Sequence, residues 1–224
     1  MVATPQANQA ANQAANQAAN QKPVVTITSG SEVSMFWPMN VQPIVSQEQF
    51  AAIAQANPEL RLELSAQGEL IVMPPAGSTS GRRNLTLSGQ LAAWVEQNED
   101  LGEGFDSSTG FTLPDRSIIS PDAAWIKKSR WDALTPEEQD GFAPICPDVA
   151  IELRSKTDRL KAVREKMQMY LSNGVRLGVL LNPQKRGVEL YRPDQAVEVL
   201  QKPSTVDLSE VMPNFILNLD RIFR

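Results

Sequence analysis

Between Asp148 and Leu181 the chain reads strand, helix, strand, and no other stretch limits its fold so tightly. Val149-Ala150-Ile151-Glu152-Leu153 is a short, almost wholly apolar run. Apolar positions then recur at helical spacing from about 158 to 172, Asn173-Gly174 stops them, and a second apolar run covers 175 to 181. Two strands joined through a helix form a crossover unit of one sheet, with the helix on its face. A strand as apolar as the first belongs inside that sheet, where a carboxylate such as Glu152 is costly unless it is paired or binds a metal.

The remaining punctuation fills in the domain. Ser46-Gln47-Glu48-Gln49 fits a capping box, and Phe50, Ile53 and Ala54 give an apolar helix face that ends at Asn57-Pro58. Leu60, Leu62 and Leu64 alternate with Arg61 and Glu63, and Gly68 turns the chain into Glu69 to Met73, a hairpin that stops at Pro74-Pro75. After a Gly/Ser/Thr loop from Ala76 to Gly81, a second helix carries Leu85, Leu91, Trp94 and Val95. Strands are expected at 104–113 and 122–126, divided by Pro114-Asp115-Arg116. Thr135-Pro136-Glu137-Glu138 opens a short helix. A hairpin of 187–192 and 197–200 precedes a polar, proline-punctuated tail. The expectation is a mixed α/β (α+β) class, a central mixed sheet flanked by helices, as one domain over residues 36–224. Residues 1–35, with Ala-Asn-Gln units repeated from 6 to 21, read as a low-complexity, disordered arm.

Composition narrows the chemistry. The chain has no histidine, which removes imidazole bases, Ser-His-Asp and Cys-His catalysis and histidine zinc sites. The single cysteine, Cys146, forms no intrachain disulfide and fits a reducing cytoplasm as a semi-buried thiol. No segment approaches the roughly 18 apolar residues of a membrane span. Hydrolytic chemistry would rest on carboxylates, lysine, arginine and hydroxyls, with a hard cation such as Mg²⁺ or Mn²⁺.

The candidate groups converge on the crossover. Strand alternation puts Ala150, Glu152 and Arg154 on one face, opposite Val149, Ile151 and Leu153. Asp122 opens another short apolar strand, and the two carboxylates reach one ion if the strands are neighbours. On the following helix Leu160, Val163, Met167, Tyr170 and Leu171 form a stripe. Lys166 lies at one margin, able to aim its amine at the strand end, and Arg164 at the other as a phosphate contact. Duller roles compete: a turn-capping Asp122, a Glu152 ion-paired to Arg154 or Lys166, and a Lys166 on a plain helix face. Trp94, Trp125, Trp131 and Phe111 read as core rather than as base-stacking platforms.

The segments Gly68 to Pro75, Ser107-Ser108-Thr109-Gly110-Phe111, Ser120 to Ile126 and Pro147 to Asp158, with Lys166-Met167, Tyr170 and Asn173-Gly174, occur in one order. Over Gln49 to Leu219 this resembles the Uma2 or DUF820 group of PD-(D/E)xK endonucleases, numerous in cyanobacteria. The resemblance implies a restriction endonuclease-like fold in which Asp122 is the PD aspartate and Glu152 the D/E residue, both binding magnesium. It departs at the third motif position, where Arg154 replaces lysine; arginine stays protonated, so it can steady a phosphate but not act as a base. Lys166 is then the candidate replacement. A further acid in the metal shell would be Glu63 first and Glu69 second.

Charge distribution fits a nucleic-acid partner better than the net charge of -5 does. From Glu152 to Arg192 ten basic residues face four acidic ones, a net of +6. Arg82, Arg83 and Asn84, near a helix start, are candidate backbone contacts. The expectation is a Mg²⁺- or Mn²⁺-dependent, homodimeric endonuclease acting on DNA. The alternative is a catalytically inactive nucleic-acid- or protein-binding module that retains the nuclease fold.

Overall fold

A computed structural model describes residues 24–29, 33–38 and 43–224. The Ala-Asn-Gln repeat lies outside them. Inside the stretch read as arm, and just past it, Val24–Ser29 (β1) and Val33–Pro38 (β2) pair as an antiparallel hairpin. The β-branched run Val24-Val25-Thr26-Ile27-Thr28 favours that conformation.

A small sheet comes next. The capping box of Ser46 forms as expected and starts α1 (Gln47–Ala56). β3 (Arg61–Leu64) and β4 (Leu70–Met73) form an antiparallel hairpin, with Gly68 at φ 82 in the turn, where a side chain would be strained. β6 (Phe111–Thr112) and β7 (Ile118–Ile119) complete a four-stranded sheet in the order β4-β3-β7-β6. Phe50 and Ile53 of α1 bury against Leu62, Leu64, Leu70 and Ile118.

The large sheet has six strands in the order β12-β11-β10-β9-β8-β5. They are β5 (Gly102–Asp106), β8 (Ala123–Lys127), β9 (Val149–Leu153), β10 (Leu177–Asn182), β11 (Gly187–Tyr191) and β12 (Glu198–Gln201). β9 is central as its apolarity requires, parallel to β10 and antiparallel to β8, so the sheet is mixed. The helix of the crossover, α5 (Leu160–Ser172), covers one face with Met167 and Tyr170. Alternation along β9 holds: Ala150 faces that side, while Val149, Ile151 and Leu153 face the other. Two short helices, α3 (Lys128–Trp131) and α4 (Pro136–Asp140), occupy the insertion.

Three expectations need correction. The long helix α2 begins at Ser78 and runs to Glu96, so four of the six residues of the expected loop, Ser78 to Gly81, form its first turn. Leu85 is 75% exposed and takes no part in the core, which α2 enters through Leu87 and Leu91 one helical turn apart. The polar tail is no tail. β13 (Thr205–Asp207) and β14 (Ile216–Asn218) pair, and Val206, Met212, Phe215, Leu217, Leu219 and Ile222 close the second face of the large sheet. The four aromatics act as core, Trp125 and Phe111 buried and Trp94 and Trp131 packed against it.

Candidate active site

Ser120-Pro121-Asp122 carries the chain from β7 of the small sheet into β8 of the large one, and the candidate site lies at that junction. β8 lies beside β9, with Ala123 opposite Ile151, so Asp122 meets the end of β9. Its Oδ2 accepts a 2.8 Å hydrogen bond from the Leu153 N–H. Glu152 points from β9 toward α5, where the Tyr170 hydroxyl donates to its Oε1 at 2.9 Å. Lys166, one turn before Tyr170, has its Nζ 3.0 Å from the same oxygen. Nζ also donates to Glu63 Oε1 at 2.9 Å and to the Ser120 carbonyl at 3.3 Å. Glu63 Oε1 accepts in addition from the Ser120 N–H at 3.0 Å. The lysine thus bridges the two sheets, and each of its ammonium hydrogens has an acceptor.

Burial sets the electrostatics. It is the largest influence on Glu152, whose carboxyl is pushed up to about 7; the Lys166 charge opposes the rise, while Asp122 and Glu63 add to it. Burial also raises Asp122 against the hydrogen bond from Leu153 and the charges of Lys166 and Arg61. On Lys166 burial pulls the other way, but Glu152 and Glu63 outweigh it and hold the amine above its ordinary value. Lys166 is therefore protonated at neutral pH and a poor proton acceptor.

These groups form the floor of a cavity of ≈ 660 Å³. One wall is the start of α2, Gly77 to Ser80, with no side chain capping it among the described residues. Another is the loop Ser155 to Arg159 leading into α5, likewise uncapped. Amides left without partners at two helix starts favour anions.

Donor chemistry decides whether a hard cation fits. Among the described residues no group of three His, Cys, Asp or Glu side chains is arranged to hold a metal. Among the described residues Asp122 and Glu152 each keep one oxygen with no hydrogen-bond partner, Oδ1 and Oε2, and both side chains line the cavity. Mg²⁺ is commonly held by one or two carboxylates plus waters and substrate phosphate, so this pair fits it and a closed protein cage is not required.

The structure thus brings Asp122, Glu152, Lys166 and Glu63 together. Other expected site residues lie elsewhere. Arg154 does not line the cavity: β9 ends at Leu153, alternation ends with it, and the guanidinium donates to the Asp158 carbonyl, Asn182 and Gln184. Arg164 forms a paired contact with Glu189. Arg82 and Arg83 lie beyond the first turn of α2 and donate to the Arg221 and Arg224 carbonyls. Glu69 sits before β4, its N–H bound to Ser65, outside the cavity. Asn84 does line it, donating to Ser107. Sequence reasoning missed Arg61, Ser120 and Tyr170. Arg61 shares the face of Glu63 by simple alternation and so was within reach; the backbone role of Ser120 was not.

No curated protein matches the chain. It is similar in fold to the crystal structure of "a putative nuclease belonging to DUF820" from Anabaena variabilis, at 23% identity and a TM-score of 0.61, over 74% of this chain and 90% of that one. The Uma2 family model, described as "Putative restriction endonuclease", matches residues 47–220, which contain both sheets and every residue of the cavity floor. The chain belongs to the Uma2 family.

Proposed function

We propose that the chain is a metal-dependent endonuclease that hydrolyses DNA phosphodiester bonds, with Asp122 and Glu152 holding Mg²⁺ or Mn²⁺. The family gives nuclease as the general class of activity. The observation that carries the finer reading is the meeting of Asp122, Glu152 and Lys166 on one cavity floor, beneath two helix starts that suit phosphate.

Bound there, the ion would supply Lewis acidity and lower the pKa of a water. The chain's own groups have separate tasks. The Leu153 N–H and Tyr170 hydroxyl each hold one oxygen of the two carboxylates and leave the other for the ion. Lys166, held protonated, balances the buried negative charge and stabilises charge developing on the phosphate, as an electrostatic rather than a basic group. Amides of Ser78 to Ser80 and of the α5 start receive the phosphate oxygens.

An incision assay on plasmid and single-stranded DNA with Mg²⁺ or Mn²⁺ tests the reading. Asp122→Asn and Glu152→Gln are each expected to lower the rate by about a hundredfold or more, the size typical of removing a principal electrostatic group. Full activity in either variant would refute the assignment. One other reading, a nucleic-acid-binding module without catalysis, is favoured because among the described residues no three acids are arranged to hold a metal, the third acid of the floor, Glu63, being engaged by Lys166 and the Ser120 N–H. It predicts no Mn²⁺ binding that Glu152→Gln abolishes.

A further inference from the structure

The cavity above Asp122 and Glu152 has walls of unlike chemistry. On the α5 side stand Lys156 and Arg159, exposed and without an ion-pair partner among the described residues, and between them Asp158, whose carboxylate accepts from the Ser155 N–H and leaves the wall with one net positive charge. Opposite in character is the run off the end of β4, where Met73, Pro74 and Pro75 form an apolar ridge with both prolines exposed. Between them the acids lie deep, Glu152 7% and Glu63 6% exposed.

A phosphate needs the cationic wall and the helix starts but gains nothing from the ridge. Proline side chains offer no hydrogen bond, so what they match is a flat apolar face. In nucleic acid that face belongs to a base, and it is open only when the base is unpaired and unstacked. Size agrees: ≈ 660 Å³ falls within the roughly 300–1,000 Å³ that encloses a small organic ligand, enough for one or two nucleotides and not for a duplex.

Resting on the reading of Asp122 and Glu152 as a nuclease centre, we infer that the substrate enters as a single strand. Its scissile phosphate lies over the floor, flanked by the cationic wall, and an adjoining unpaired nucleobase packs on the Met73–Pro75 ridge. Such packing uses the face shared by all bases, so tolerance of sequence follows. Flaps, overhangs and opened duplexes are substrates, and intact duplex is a poor one because it must first be unpaired.

The test compares a fluorescein-labelled strand of about 20 nucleotides, longer than the about 4–16 a single-strand site covers, with the same strand annealed to its complement. Initial rates are measured with Mn²⁺ on the full chain, and anisotropy without metal. The single strand is expected to be cut about tenfold faster or more, the order set by the cost of opening a duplex. Pro75→Ser, an exposed position, is expected to raise KM for the single strand several-fold at unchanged kcat. Equal rates on the two substrates, or an unchanged KM in the variant, overturn the inference and leave the nuclease reading standing. If neither substrate is cut, the nuclease reading falls. Anisotropy then still decides the ridge: weaker single-strand binding by Pro75→Ser upholds it, and equal binding overturns it.

Discussion

Among the described residues Glu152 receives two donors on one oxygen and none on the other, so its geometry rests on Tyr170 and Lys166 together. Tyr170→Phe keeps the buried ring and removes one donor. It is expected to weaken Mn²⁺ binding about tenfold, the usual lower cost of losing a group that orients a metal ligand, while the fold survives; calorimetric titration and thermal melting check both. The pH dependence follows from the raised carboxyl. Below about 7 Glu152 holds its proton, which a cation must displace, so Mn²⁺ affinity is expected to fall as pH drops from 8 to 6. Since the Lys166 charge lowers the Glu152 pKa, Lys166→Met is expected to move the midpoint of that fall to higher pH. An unmoved midpoint would deny the coupling. The meeting of Glu152 and Lys166 was legible because strand and helix periodicities place side chains on faces, and Asp122 joined them as the residue that opens the apolar run of β8. Arg154 was misplaced because the same alternation was extended one residue past the strand's last, Leu153.

Elements that bury a regular face were legible, and those that close the core through short irregular pieces were not. The β9–α5–β10 crossover shows its periods plainly. The C-terminal cover does not: β13 and β14 have three residues each, too few to display alternation, and Phe215, Leu219 and Ile222 bury from outside the strands. Their weight is nonetheless that of core. Leu217 is 0% exposed, and Leu217→Ala is expected to cost about 2–5 kcal/mol in urea unfolding. By contrast Leu85→Asn, on the outer face of α2, should stay within about 0.5 kcal/mol. Gly102 shows a constraint of another kind. A Cβ there would meet the Ile126 carbonyl and lie 2.6 Å from the Trp125 ring, so Gly102→Ala is expected to destabilise by about 1–3 kcal/mol.

Across the whole molecule, the excess of positive charge from Glu152 to Arg192 is smaller than its sequence count suggests. Lys161, Arg164, Lys166, Arg176 and Arg192 form ion pairs within the protein, and the Arg154 guanidinium, though still charged, is held by the Asp158 carbonyl, Asn182 and Gln184. Of the rest, Lys156 and Arg159 line the cavity, so they carry the electrostatic attraction at the site. Each phosphate neutralised on a single strand contributes about -0.7 to the slope of log K against log salt. Two such contacts from these residues give about -1.4, and any contacts by helix-terminal amides add little, because no full charge releases a counterion. Wild type is therefore expected to show a shallow slope, and Lys156→Ala with Arg159→Ala to flatten it by about 1.4 while Mn²⁺ affinity stays constant. Anisotropy titrations between about 50 and 200 mM salt measure it. A wild-type slope several units steeper would place most phosphate contacts outside the cavity, on Lys185 and Arg186 beyond β10 or on residues of α2. The acidic remainder of the molecule would then have to be crossed by the strand, at a repulsive cost that a single cavity avoids.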